Sequence, residues 1–97
     1  MSFSERNYND PAYKKWRLDV FKRDGFKCQY PGGGCTKRLH AHHIRRWAEH
    51  HAIRFNVLNG ITLCKKHHDM VWGNEDNYIG MFTRIVINKA YNKRKKK

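Results

Sequence analysis

Leu39-His40-Ala41-His42-His43-Ile44 places three histidines within four residues, between apolar neighbours. Some twenty residues on, Asn59-Gly60-Ile61-Thr62-Leu63-Cys64-Lys65-Lys66-His67-His68 supplies two more beside a cysteine. Upstream, Cys28 and Cys35 bracket Gln29-Tyr30-Pro31-Gly32-Gly33-Gly34, whose proline and glycines favour a tight turn. Cys64 and His67 are three apart at a helix start, which puts both on one face. Zinc is bound by pairs of cysteines and histidines from two separated turns, so the spacing predicts one tetrahedral site from Cys28, Cys35, Cys64 and His67. The alternatives on these residues are buried free cysteines, or a Cys28–Cys35 disulfide that leaves Cys64 single.

A staple matters in a chain of 97 residues. Such a chain buries only about 60–65% of its unfolded surface, so its core is marginal without one. With 39% hydrophobic and 13% aromatic residues, the expectation is a globular fold in one domain, 1–97. An odd number of cysteines fits metal ligation better than a disulfide framework. Twenty-one Lys and Arg against eight Asp and Glu leave a formal charge of +13, which suits a polyanion. Nucleic acid is favoured over an anionic membrane, because no long apolar run and no basic amphipathic helix stands out. Met1-Ser2-Phe3-Ser4-Glu5 has no apolar h-region, so no signal peptide is expected.

Along the chain, residues 1–9 read as a loose polar arm. Asp10-Pro11 offers an N-cap and a first helical residue, and Gly25 a C-cap, for a helix over about 11–24. Tyr13, Trp16, Val20 and Phe21 fall at i, i+3, i+7 and i+8 on its apolar face. Lys14, Lys15, Arg17, Lys22 and Arg23 mostly take the rest, as a solvated face or a DNA-backbone contact. Lys37 to Ile44 reads as a strand with His40 and His42 on one side, and Leu39 and Ala41 on the other. Residues 45–58 read as a loop with one short helical turn, Gly60 to Leu63 as a second, antiparallel strand, and Lys65 to about Trp72 as a helix ended by Gly73. Tyr78, Phe82, Ile85 and Val86 predict a further helix over about 77–91, although Ile85-Val86-Ile87 also suits a strand. Lys89 to Lys97 holds six cations and no acid, and reads as a loose solvated tail or a nucleic-acid arm. Trp16, Trp47 and Trp72 are expected to pack rather than to stack on bases.

In residue type, order and spacing, these stretches resemble the HNH endonuclease family. The family's commonest spelling is Asp-His-Ile, then Asn-x-x-x-Leu-Cys-x-x-Cys-His. Here His42-His43-Ile44 stands for the first part, Asn59 for the middle and Leu63-Cys64-Lys65-Lys66-His67-His68 for the last. The resemblance covers roughly residues 12–73. It implies an α+β fold of the ββα-metal kind, with flanking helices and a zinc knot beside the active site. Two departures stand out: six residues separate Cys28 from Cys35 where two to four are usual, and His67 stands where the family mostly has cysteine.

The resemblance also implies roles. His42 takes the family's Asp position as ligand of a catalytic divalent ion, with His68 as its second ligand, and His43 takes the general-base position. Asn59 would orient the loop or hold the His43 backbone and ring. His40 shares a strand face with His42, as a third ligand or a phosphate donor. Arg54, before Phe55, would clamp the scissile phosphate, with an ion pair to Glu49 as the competing role. A neutral imidazole near pH 7 suits removal of a proton from water, and a divalent ion (Mn2+, Mg2+, Ni2+ or Co2+) supplies Lewis acidity. The expected activity is a metal-dependent DNA endonuclease that nicks or cuts both strands, as a monomer or homodimer. Small proteins of this kind occur in phages and mobile elements, often with packaging or restriction machinery, so the resemblance implies a cytoplasmic location in a bacterial host cell. The competing readings are a zinc-stapled DNA-binding module without catalysis, and an RNA-binding or regulatory accessory protein that uses the basic tail.

Overall fold

The computed structural model describes residues 9–45 and 53–95, the last four by their backbone alone. The element order is α1 (Pro11–Arg23), β1 (Leu39–His43), β2 (Gly60–Cys64), α2 (Lys65–Val71) and α3 (Ile79–Lys95), with single 3₁₀ turns at Val57–Asn59 and Glu75–Tyr78. The α+β class expected from the sequence is what forms: a two-stranded antiparallel sheet with three helices around it.

Helix α1 starts where Asp10 Oδ1 accepts the Ala12 N–H at 2.8 Å, with Pro11 in the first turn. It stops in a Schellman arrangement: Phe26 N–H bonds the Phe21 carbonyl and Gly25 N–H bonds the Lys22 carbonyl. The Phe21 and Phe26 rings, 6.0 Å apart, supply the apolar contact that accompanies that motif. Tyr13, Trp16, Val20 and Phe21 are all buried, as their spacing predicts.

The register pairs His40 with Leu63, Ala41 with Thr62, His42 with Ile61 and His43 with Gly60. Because strand side chains alternate, the hairpin has two distinct faces. One face carries Ile61 and Leu63 into a core with Ile44, Val71, Phe82 and Val86. The other meets α1, where Tyr13, Trp16 and Val20 pack with Ala41, Phe55 and Val57. Gly60 makes this second contact close: a Cβ there would lie 2.5 Å from Val20 Cγ2 and 2.6 Å from Trp16 Cζ2.

A buried ion pair locks α1 to the hairpin. Arg23 donates to both carboxylate oxygens of Asp24 and also to the carbonyls of Val57 and Gly60. Asp24 in turn accepts the Thr62 N–H at 2.9 Å. Arg23 therefore belongs to the interior, not to the solvated cationic face that its neighbours Lys14, Lys15, Arg17 and Lys22 occupy. Its guanidinium supplies donors to the Val57 and Gly60 carbonyls, as Trp16, also on α1, supplies one to the Asn56 carbonyl.

Two further expectations are corrected. Trp72 falls after the end of α2 and is 63% exposed, so it is not a packing residue. The basic tail is not loose up to Lys95: the α3 backbone runs on through it, since no Gly or Pro interrupts residues 81–95. The helix expected over about 77–91 forms as Ile79–Lys95, and Ile85-Val86-Ile87 lies within it. The polar arm 1–8 and the loop residues Arg46, Trp47, Glu49, His50 and His51 lie outside the described residues. Among the described residues no helix is long and apolar enough to cross a membrane.

Candidate metal centre and histidine cluster

Cys28, Cys35, Cys64 and His67 converge, with one ligand atom from each lying within 4.8 Å of the others. His67 Nδ1 is 3.2 Å from Cys64 Sγ, 3.5 Å from Cys28 Sγ and 3.7 Å from Cys35 Sγ. Zn–S bonds of about 2.3 Å and Zn–N bonds of about 2.0–2.1 Å at tetrahedral angles require S···N separations of about 3.6 Å. The donor set therefore fits zinc in both chemistry and spacing. The turn between Cys28 and Cys35 is built with positive φ at Gly32 (110°) and Gly34 (80°), which lets a six-residue spacing close like a shorter one.

Within this set, two of the thiols are driven in opposite directions. Burial acts to raise Cys64, but hydrogen bonds from the backbone of His67 and Thr36, with others from Thr36 and Cys28 side chains, bring it down to about 6. Cys35 is pushed up to about 11 by its hydrogen bond to Cys28, by desolvation and by the neighbouring sulfurs. A metal ion among the sulfurs would offset the mutual repulsion that raises Cys35. Tyr30 lies flat on His67, with ring centroids 4.4 Å apart, and sets its edge toward Phe82 at 6.3 Å. The metal loop is thereby joined to the α3 core through a residue that sequence reasoning missed. Its only signal was its place between the two cysteines.

The residue after His67 enters a second cluster. His68 stacks on His40 at 4.6 Å and meets His42 edge-to-face at 5.6 Å. His42 is buried and also lies edge-on to Phe82 at 5.8 Å. Desolvation, then the proximity of His68 and Arg38, holds His40 below the usual histidine range despite the pull of Asp69. His40 Nε2 is buried and has no hydrogen-bond partner among the described residues. These three rings are brought together, yet among the described residues the group of three or more converging ligand atoms is the Cys3His set.

His43 points the other way. Its ring lies against Trp16, and its Nε2 is 2.8 Å from the Arg54 carbonyl oxygen. A carbonyl only accepts, so Nε2 carries the ring proton and the neutral ring has its lone pair at Nδ1. Arg54 thus touches His43 through its backbone. Asn59 grips the next turn: its Oδ1 accepts the Arg45 N–H at 2.8 Å, its Nδ2 donates to the Arg45 carbonyl at 3.3 Å, and its own carbonyl accepts the Ile44 N–H. It holds the chain two residues beyond His43 rather than the His43 backbone itself. Arg45 and Arg84, with Thr83 and Asn88, line a cavity of about 390 Å³ along α3.

A family model described as HNH endonuclease matches residues 21–76, more than half of the 97-residue chain. The chain belongs to the HNH endonuclease family. Comparison with curated proteins and with solved structures gave no match.

Proposed function

We propose that this protein is a metal-dependent DNA endonuclease that hydrolyses phosphodiester bonds, with His43 as the general base. The observation that carries this reading is the bond between His43 Nε2 and the Arg54 carbonyl. It fixes one tautomer and one ring orientation and leaves Nδ1, buried in the structure, as the basic atom, the one that would take a proton from the attacking water. Trp16, flat against the ring, restricts its rotation. Asn59 keeps the chain after β1 in place through Arg45. The membership of the HNH family and the charge of +13 support nucleic acid as the substrate.

On the opposite strand face, His42 and His68 would hold the catalytic divalent ion, with His40 beside them. Two imidazoles leave most coordination positions to water and phosphate oxygens, as a catalytic rather than a structural site requires. When bound, such an ion neutralises charge on the phosphate and the departing 3′ oxygen. The Cys3His set would hold structural zinc and, through the adjacent His67 and His68, fix the start of α2 that carries His68. A phage or restriction setting, a cytoplasmic location, and action as monomer or homodimer belong to this proposal.

The test is conversion of supercoiled plasmid to nicked or linear form by purified protein with a panel of divalent ions. Cleavage that needs an added ion and disappears in His43→Ala supports the reading. A folded, zinc-loaded protein that binds DNA and cuts with no ion in the panel points to the non-catalytic zinc-stapled module instead.

A further inference from the structure

Trp72 is the most exposed of the large apolar side chains in the described residues, at 63%. It does nothing for the core, which α2 completes with the fully buried Val71. Its backbone is nevertheless fixed, since its N–H bonds the His68 carbonyl at 3.0 Å. The indole ring lies 5.7 Å from the His68 imidazole, tilted by 41°. His68 in turn stacks on His40, so the exposed indole ends a row of aromatic rings that begins on the hairpin. A large, flat, rigidly based ring at the rim of a polar cluster is open to a ligand that offers a flat face of its own.

We infer that Trp72 is a stacking platform for an unpaired nucleobase next to the phosphate held at His42 and His68, which makes a single-stranded or unstacked stretch of nucleic acid the preferred substrate. This inference rests on the proposed nuclease site. A phosphate at that site has its own base one sugar away, and Trp72 stands one ring beyond His68. Bases inside a duplex are covered on both faces by their neighbours, so an indole reaches a base face only where the stack is already open. The charge of +13 brings any polyanion to the surface, but it does not distinguish paired from unpaired strands. The indole does, because every base offers a π-face and stacking needs no particular sequence. Nothing in the interior depends on the ring, so its loss should leave the fold intact.

The experiment uses the full zinc-loaded chain with no further divalent ion, so that binding is read without cleavage. Fluorescence anisotropy measures the affinity of an end-labelled single-stranded oligonucleotide and of its duplex for the parent, Trp72→Ala and Trp72→Phe. Trp72→Ala should lose on the order of 10-fold on the single strand. It should change by less than about 2-fold on the duplex, and Trp72→Phe should recover most of the loss. A strand of abasic residues should bind parent and Trp72→Ala alike. Unchanged single-strand affinity in Trp72→Ala, or equal losses on single strand, duplex and abasic strand, would overturn the inference. If the parent cleaves plasmid while Trp72→Ala binds every strand as the parent does, only the platform fails. A parent that neither binds nor cleaves nucleic acid removes the nuclease reading and the platform with it.

Discussion

The imidazole of His43 lies flat on the indole of Trp16, with ring centroids 3.9 Å apart and planes 11° from parallel. Trp16 is itself held by a hydrogen bond from its Nε1 to the Asn56 carbonyl at 2.9 Å. Asn56 stands two residues beyond Arg54, whose carbonyl holds His43. One short segment therefore fixes both rings. Gly60, paired with His43 across the sheet, leaves the room that the indole fills.

This arrangement separates the orientation of His43 from the stability of α1. Trp16→Phe keeps an aromatic face but lacks the donor to Asn56, so it should fold and bind DNA while losing rate. Trp16→Ala empties a site that is 2% exposed, and a large-to-small change of that kind costs about 3–5 kcal/mol. Thermal melts and single-turnover cleavage together check the pair. If Trp16→Phe cleaves as fast as the parent, the stack is packing only.

The Arg23–Asp24 pair gives a second prediction. Their side chains are 6% and 0% exposed, and both are committed to the backbone of the 57–62 segment. Breaking a buried pair by removing one partner leaves the other charge uncompensated, at about 3–5 kcal/mol. Arg23→Met and Asp24→Asn should each lower the melting temperature sharply. Neither should alter the salt dependence of DNA binding measured below the melt, because Arg23 has no face left for a phosphate. A flatter salt slope in Arg23→Met would return this arginine to the DNA-contacting set.

What could be read along the chain was whatever depended on local spacing. Asp10-Pro11 and the apolar positions 13, 16, 20 and 21 marked α1, and the strand alternation separated His42 from His43. The four metal-site donors were legible because residue type and spacing carry the signal. Arg23 was not legible, because its acceptors are carbonyls 34 and 37 residues away and carry no residue-type signature. Nor was the contact of Arg54 with His43, since it is made by a carbonyl that any residue would provide. Trp72 was misplaced by a single residue at a helix end, where a boundary error moves a side chain from core to solvent.

Zinc should carry much of the folding free energy. Structural zinc contributes on the order of 10 kcal/mol in small peptides. The Cys3His set closes a loop onto the base of α2, and Tyr30 extends that closure into the α3 core. Cys64→Ser, or chelation of the metal, should lower the melting temperature by tens of degrees or leave the protein insoluble. Metal analysis of well-folded parent that finds no tightly held zinc would end this account.

The continuation of α3 to Lys95 changes how the basic tail should act. Deleting residues 93–97 should weaken DNA binding and flatten the plot of log K against log salt, because each lost phosphate contact removes roughly one unit of slope. Sequence preference should stay the same. An unchanged slope would show the tail to be a bystander.

The neighbours His42 and His43 give the most discriminating prediction, because alternation on β1 sends them to different partners. His42 faces His68, so the proposed catalytic ion would be held by imidazoles where the family's commonest spelling has a carboxylate. Magnesium prefers hard oxygen donors, whereas manganese, cobalt and nickel accept imidazole more readily. Cleavage should therefore be faster with those ions than with magnesium. His42→Ala should weaken binding of the ion, and His42→Asp should move the preference back towards magnesium. His43, fixed through Nε2 on the Arg54 carbonyl and facing Trp16, should leave metal and DNA binding intact when replaced by Ala. Its loss should nonetheless slow cleavage on the order of 10²–10⁴-fold, the usual contribution of a general base. Metal titration and single-turnover rates on the two variants decide the matter. A His43→Ala protein that loses the ion while His42→Ala keeps it would mean that the two roles are exchanged.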